Sequence, residues 1–315
     1  MSTRWPTTAF SRLSLRQIML IAAIDGSGSL KRAAERIGMS QPRATKALRE
    51  IEALTERQLF VRTNRGLLPT IAGDCIIRHA TILLAQLSSL EEEMQGLSGV
   101  EWSQLRIGTI MGAVPYVTER ISDHLRRFPQ TRIEIVEDTS VELLRLLDRG
   151  LLDLVIGRSS VTPTPQHYNS TAFHDETLSV VANPSHPLVR KKRVSLEDLK
   201  ASRWIVYTAA MPMRLLLERE FRHAGLAFPV ALLETRSALA TMSLIQADPN
   251  TVALLSSDVA GFFVEFGMAR TLPMRLSSRS EPYEVITRRE IGPSDAVQRF
   301  IADLIAGAPS GEGES

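Results

Sequence analysis

The apolar residues of this chain change their period once, and the change divides it. From Ser14 to Gly96 they recur at spacings of three and four, apart from one short hairpin-like stretch. Beyond Ser103, short apolar runs alternate with helical stretches instead. An N-terminal helical part and a C-terminal α/β part are therefore expected, with a length of 315 residues leaving room for both.

In the first part, Ser14 to Asp25 reads as a helix capped by Ser14, ended by Gly26 and turned inward by Leu15, Ile18, Met19, Ala22 and Ala23. A second helix runs from about Ser29 to Ile37, with Leu30, Ala33, Ala34 and Ile37 on one face. Gly38 supplies a backbone conformation that residues with a Cβ resist. Ser40 is placed to cap a third helix, and Pro42 falls in its first turn, where amides lack partners anyway. Ala44, Leu48, Ile51 and Leu54 then point inward, leaving Gln41, Arg43, Thr45, Lys46 and Arg49 outward. Leu59 to Thr70 reads as a hairpin whose tip is Asn64-Arg65-Gly66. From Thr70 to about Gly96 a long helix carries Ile76, Ala80, Leu83, Leu87, Leu90, Met94 and then Leu97, in alternating steps of four and three. That heptad seam suits a dimer-forming linker.

The stretch Gly26-Ser27-Gly28-Ser29-Leu30-Lys31 raises the question of a phosphate loop. The loop motifs demand a Gly-Lys-Ser/Thr run or a third glycine, each behind a strand, and none of these is present. A helix-turn-helix suits the same residues better. Its tight turn is Ile37 to Ser40, and its second helix must offer polar side chains near its N-terminus to base edges. Gln pairs with adenine, Arg or Lys with guanine, and Thr with the thymine methyl, while Arg62 and Arg65 suit backbone or minor-groove contacts. Charge agrees. Met1 to Gly66 holds twelve Lys and Arg against five Asp and Glu, whereas the remainder holds 25 against 30. A basic head on a mildly acidic body fits a polyanionic partner.

The α/β part has candidate strands at Leu105–Ile110, Arg132–Asp138, Leu151–Gly157, Leu178–Asn183, Trp204–Thr208, Val230–Glu234, Thr251–Ser257 and Tyr283–Arg289. Helices are expected at Val117–Phe128, Val141–Arg149, Arg214–Ala224 and Ser237–Ala247. A last helix is capped by Ser294, with Val297, Phe300, Ile301, Leu304 and Ile305 inward. The alternation implies a mostly parallel sheet. Two halves of about 100 residues would leave a ligand cleft beyond the strand ends, after Ile110, Asp138, Gly157 and Thr208. The six histidines form no metal-binding pair, Gly-x-Ser-x-Gly is absent, and the single cysteine, Cys75, allows no internal disulfide. No catalytic residues, metal or cofactor are therefore expected. The absence of a signal sequence or membrane span points to the cytoplasm.

The residues SLRQIMLIAAIDGSGSLKRAAERIGMSQP, the Ile51-Glu52 pair, LFVRTNRG and LPTIAG resemble the DNA-binding head of LysR-type transcriptional regulators. LRIG, Pro129, LLRLLDRGLLDLVIG, VANPSHPL and DPNTVALLSSDVA resemble that family's effector domain, so the likeness spans about Leu13 to Ile305. The resemblance implies a winged helix-turn-helix at 1–69, with the helix-turn-helix at about 29–48. A dimerising linker helix at 70–97 and an effector domain at 104–307, similar to type 2 periplasmic binding proteins, would follow. Lobe I would take about 104–174 and 276–307 and lobe II about 175–275, and 308–315 would be a disordered tail. Homodimers pairing into tetramers, bent promoter DNA and a possible contact with RNA polymerase are also implied. By the family pattern Gln41, Pro42, Thr45 and Lys46 meet the groove and Arg65 sits on the wing, and Ser40 just ahead of them is counted with the DNA-binding set. Arg43 stands where relatives carry a small residue.

For the effector, the family pattern points to Thr109 and Gly112 after the first strand, Thr139 and Ser140 after the second, and Thr208 from the other half. The usual hydroxyl near Gly112 is missing. Arg158 offers a charge partner for a small anionic metabolite. The expected function is a ligand-responsive transcriptional regulator. The rival reading is a solute-binding or enzymatic α/β protein with an appended helical domain.

Overall fold

The structure is a computed structural model that describes residues 9–64, 66–96, 103–209, 211–230, 232–290 and 292–307. Arg65, Leu97 and the tail at 308–315 lie outside the described residues.

The head begins with helix α1 (Leu15–Ser27). Ser14 and Gln17 form a reciprocal cap, Ser14 Oγ accepting from Gln17 N and Gln17 Oε1 accepting from Ser14 N at 2.9 Å. The helix runs through Gly26 and ends at Gly28, which is left-handed at φ 61°. Its inward residues are Leu20, Ile21, Ala23 and Ile24, while Leu15 and Met19 are exposed. The expected face was right for Ala23, which is buried, and Ile18, which packs against the core, but wrong for Leu15 and Met19, because Leu15 to Ile24 is apolar nearly all round and spacing alone does not select a side. Helix α2 (Leu30–Arg36) buries Leu30, Ala33 and Ala34. Gly38 turns the chain at φ 64°, and α3 (Gln41–Thr55) follows, burying Ala44, Ala47, Leu48 and Ile51. Ser40 occupies the cap position of α3 but makes no side-chain cap bond.

Strands β1 (Phe60–Thr63) and β2 (Gly66–Pro69) pair antiparallel as the expected hairpin, with Thr63 opposite Gly66. Gly66 tolerates no side chain. Its φ is 117°, and a Cβ would stand 2.4 Å from the carbonyl oxygen of Gly28. That same carbonyl accepts from Leu67 N at 2.9 Å, which pins the hairpin to the end of α1. Helix α4 (Ile71–Gly96) starts at Thr70, whose hydroxyl oxygen accepts from Gly73 N at 3.1 Å and donates to the Gln58 carbonyl at 2.8 Å. The heptad seam divides between two environments. Ala80 is buried, Ile76 is partly buried, and both pack with Ile77 into the head core, which α1, α2 and α3 also build. Leu83, Leu87, Leu90 and Met94 stay exposed at 51%, 43%, 53% and 59%.

The α/β part contains two five-stranded sheets. The first has the order β4 (Thr131–Glu137), β3 (Ser103–Thr109), β5 (Leu154–Gly157), β12 (Tyr283–Arg288) and β6 (Tyr168–His174). The second has the order β11 (Arg270–Thr271), β7 (Leu178–Ala182), β10 (Thr251–Ser256), β8 (Arg203–Val206) and β9 (Leu232–Glu234). Helices α5 (Val114–Arg127), α6 (Ser140–Asp148) and α10 (Asp295–Ala306) accompany the first sheet in sequence. Helices α7 (Pro212–His223), α8 (Ala238–Ala247) and α9 (Ser257–Glu265) accompany the second.

Both sheets are mixed rather than mostly parallel. β3 runs parallel to β5, and β8 parallel to β9 and β10, but β12 is antiparallel to β5 and β6, and β7 antiparallel to β10 and β11. The chain crosses between sheets twice, after β6 and after β11, and the strand entered after each crossing, β7 and then β12, runs against the parallel strands of its sheet. Sequence reading passed over β6, β11 and α9. β6 is largely exposed and polar, so it shows no alternation. Ser256, which caps α9 by accepting from Val259 N, closes an apolar strand without a visible break. Expected strand 151–157 shrinks to Leu154–Gly157, and Ile305 of the last helix is exposed rather than inward.

Candidate functional site

Helix α3 presents three faces. Ala44, Leu48 and Ile51 are buried, while Gln41, Pro42, Lys46 and Arg49 are exposed and Thr45 is half-buried. Thr45 Oγ1 donates to the Gln41 carbonyl one turn back at 3.0 Å. Lys46, 81% exposed, has only a loose partner in Glu50 at 3.9 Å. Ser40 and Arg43 are exposed at the start of the same helix, and Arg62 is exposed on β1. Arg32 is turned away from this set. Its guanidinium donates to the Ser27 carbonyl at 2.5 Å and closes the end of α1.

In the α/β part, loops at the carboxyl ends of strands from both sheets meet. Ser256 Oγ donates to the Gly112 carbonyl at 3.1 Å, and Tyr207 lies against Met111 with its hydroxyl 4.0 Å from the sulfur. Arg236 reaches Asp138 at 3.8 Å, and His174 reaches Asp258 at 3.1 Å. Thr139 caps α6, its Oγ1 accepting from Glu142 N at 3.4 Å, and Asp138 accepts from Thr139 N at 2.7 Å. Ser140 Oγ accepts from Arg158 N at 3.1 Å. Thr109 is fully buried with its hydroxyl on the Ile110 carbonyl, and Thr208 is half-buried.

Arg158 is neither a surface residue nor a free cation. It is buried, and its guanidinium donates to Glu176 at 2.5 Å, to Ser280 Oγ at 3.0 Å and to the Glu281 carbonyl at 3.1 Å. Glu176 also accepts from the Tyr283 hydroxyl at 2.8 Å and from Ser280. Burial, and then the adjacent Glu176 charge, push the Tyr283 hydroxyl far above its ordinary range. A Cβ on Gly112 would come within 2.7 Å of both Glu176 Oε1 and the Tyr283 hydroxyl, so this network fills the space beside Gly112. Sequence reading missed Glu176 and Tyr283 because neither lies in a motif. The only available signal was the lone buried-strand arginine, whose charge demands a partner.

The second crossing is held from the other side. Glu220 of α7 accepts from Ser277 N at 3.1 Å and from Ser277 Oγ at 2.8 Å. Burial raises the Glu220 carboxyl, but the hydrogen bonds from Ser277 and Ser278 outweigh it and the net shift is downward. Burial, then the neighbouring Asp138, raise Glu137. Among the described residues no three His, Cys, Asp or Glu side chains are grouped to hold a metal ion, and no helix is long and apolar enough to cross a membrane.

Two family profiles match the chain. One, described as a bacterial regulatory helix-turn-helix protein of the lysR family, matches residues 15–74, and the LysR substrate binding domain matches 98–308. The chain belongs to the LysR family of transcriptional regulators. It is 29% identical to the HTH-type transcriptional regulator GbpR of Azospirillum brasilense, over 96% of this chain and 90% of that protein. It is 27% identical to the RuBisCO operon transcriptional regulator of Allochromatium vinosum, over 79% of this chain and 86% of that protein. A full-length OxyR variant from Pseudomonas aeruginosa shares the fold at 20% identity, with a TM-score of 0.68 over 94% of this chain and 96% of that one. Full-length CbnR in complex with its target DNA shares it at 19% identity, with a TM-score of 0.64 over 93% and 99%. Membership makes this LysR-type chain a DNA-binding transcriptional regulator with a substrate-binding domain, and not an enzyme.

Proposed function

We propose that the chain is a cytoplasmic, homo-oligomeric regulator that reads promoter DNA with α3 and responds to a small molecule between its two sheets. The observation that carries the DNA half is the outward row of Gln41, Thr45, Lys46 and Arg49 beside the buried Ala44, Leu48 and Ile51. Gln41, Thr45 and Lys46 meet base edges, Ser40, Pro42 and Arg49 flank them, and Arg62 and Arg65 follow the backbone from the hairpin. The exposed row Leu83, Leu87, Leu90 and Met94 joins two linker helices, continuing the stripe begun by Ile76 and Ala80. Two such dimers form a tetramer, and RNA polymerase is met at the promoter.

The effector rests among Thr109, Gly112, Thr139, Ser140 and Thr208, where the strand ends converge. Arg158 supports that site as a neutralised brace rather than as an anion partner. A negatively charged effector is therefore held by the Thr139 and Thr208 hydroxyls, and by Arg236. Ligand binding shifts output only by favouring one arrangement of the sheets over another.

Genome-wide mapping of bound sites by the wild type and by Gln41→Ala tests the reading. Sharp wild-type peaks that disappear in the variant are expected. A wild type with no enriched sites, or an identical map for the variant, would sink it.

A further inference from the structure

Arg43 is the residue that sets this head apart from the pattern it resembles, and its position on α3 decides its task. It lies two residues from both Gln41 and Thr45. On a helix turning about 100° per residue, that places it nearly opposite them. It shares its edge instead with Ala47 and Glu50, four and seven residues on. These three face α1, and the space between is an open groove of about 420 Å³. Arg16 and Gln17 of α1, Gly38 and Met39 of the turn, and Arg43 and Glu50 of α3 line it.

The groove has a fixed wall and two free cations. Gln17 is held at one end by Ser14, and its Nε2 donates to Glu50 Oε2 at 3.3 Å, bracing α1 against α3. Glu50 also faces Lys46 at 3.9 Å, so its carboxylate is engaged by an amide and an ammonium. Arg16 and Arg43 are both exposed and have no hydrogen-bond or ion-pair partner among the described residues. Two guanidinium groups flanking one groove present several N–H donors to a tetrahedral anion, which is the geometry that suits a phosphodiester.

We propose that Arg16 and Arg43 form a fork for a single DNA backbone phosphate, and that Arg43 does not read a base. This rests on the DNA-binding reading of the head and deepens it. The fork sets how far α3 enters the groove, while Gln41 and its neighbours carry sequence choice. Contacts to phosphate position a protein without carrying sequence information.

The test uses the full-length protein and a randomised duplex pool. Bound sequences are selected and read. Affinity is then measured by fluorescence anisotropy for one selected and one unselected duplex across a salt series. Arg43→Ala and Arg16→Ala should each weaken both duplexes by the same factor and leave the selected sequences unchanged, and the double variant should flatten the log–log salt slope by about 0.9 in all, the share of one phosphate. Arg43→Lys keeps the charge and should keep the slope. Gln41→Ala should weaken only the selected duplex and change the selected sequences. If Arg43→Ala alters preference at a base position, or the Arg16→Ala, Arg43→Ala double variant leaves the salt slope intact, the fork is overturned. If the wild type selects no sequences at all, the DNA reading itself fails and the fork falls with it.

Discussion

Arg158 and Glu176 face each other at 2.5 Å, both buried, where the end of β5 meets the first crossing between the sheets. Ser280 and the Glu281 carbonyl of the second crossing bond to the same guanidinium. The pair thus ties both crossings to the first sheet.

Removing one partner leaves a charge buried without compensation. Arg158→Met should cost about 3–5 kcal/mol of stability, read by urea denaturation. The double variant Arg158→Met, Glu176→Leu should recover part of that loss. Equal stability of wild type and single variant would show that the pair is not confined as described.

Gly112→Ala places a Cβ 2.7 Å from Glu176 Oε1 and from the Tyr283 hydroxyl. Overpacking of this kind costs about 1–3 kcal/mol. The melting temperature should fall, and the effect should shrink in a Tyr283→Phe background, where one of the two contacts is gone. Identical shifts in both backgrounds would count against this explanation.

His174 carries a pH dependence. Its hydrogen bond to Asp258 raises its pKa, burial opposes this, and the Asp258, Asp175 and Glu176 charges add to the rise. Tyr116 and Tyr283 pack against its ring, the latter stacked at 5.5 Å. A histidine that holds its proton more tightly when folded stabilises fully below its unfolded value of about 6.5. That contribution is lost as pH rises through the higher folded value. The stability gap between wild type and Asp258→Asn should therefore be wider near about pH 6 than near about pH 8. A gap that is flat or widens with pH rules the pair out.

The linker stripe predicts assembly. Leu87→Glu and Leu90→Glu put charge into an exposed apolar row, and sedimentation velocity should show the oligomer dissociating toward single chains. Unchanged sedimentation would mean the row is not an interface.

The head was largely legible because its signals are local: a cap, a glycine turn, a proline in a first turn and a hairpin tip. Gly28, rather than Gly26, ends α1 because nothing in a flexible Gly-Ser-Gly-Ser run marks which glycine turns left-handed. The α/β core was legible as strands and helices, since runs such as Leu154–Gly157 and Thr251–Ser256 are largely apolar and fully buried. Strand direction was not, because it depends on where the chain crosses between sheets. Thr139 and Ser140 came from the family resemblance, and the structure places them at the start of α6, one capping it and the other accepting from Arg158 N. Arg158 was visible, but its partner lies 18 residues away on a crossing with no motif. Contacts of that kind come from tertiary packing, and no spacing rule announces them.

Thr70 bonds back to Gln58 while starting α4, Leu67 is fastened to Gly28, and Ile77 and Ala80 sit in the head core. The linker therefore cannot swivel beneath the head as an axle turns in a bearing. Linker, hairpin and α3 behave as one crank. A twist applied to the linker is therefore expected to carry Gln41 and Arg62 with it, and if two linkers pair as proposed, the distance between the DNA half-sites becomes a gauge of the angle at which they cross.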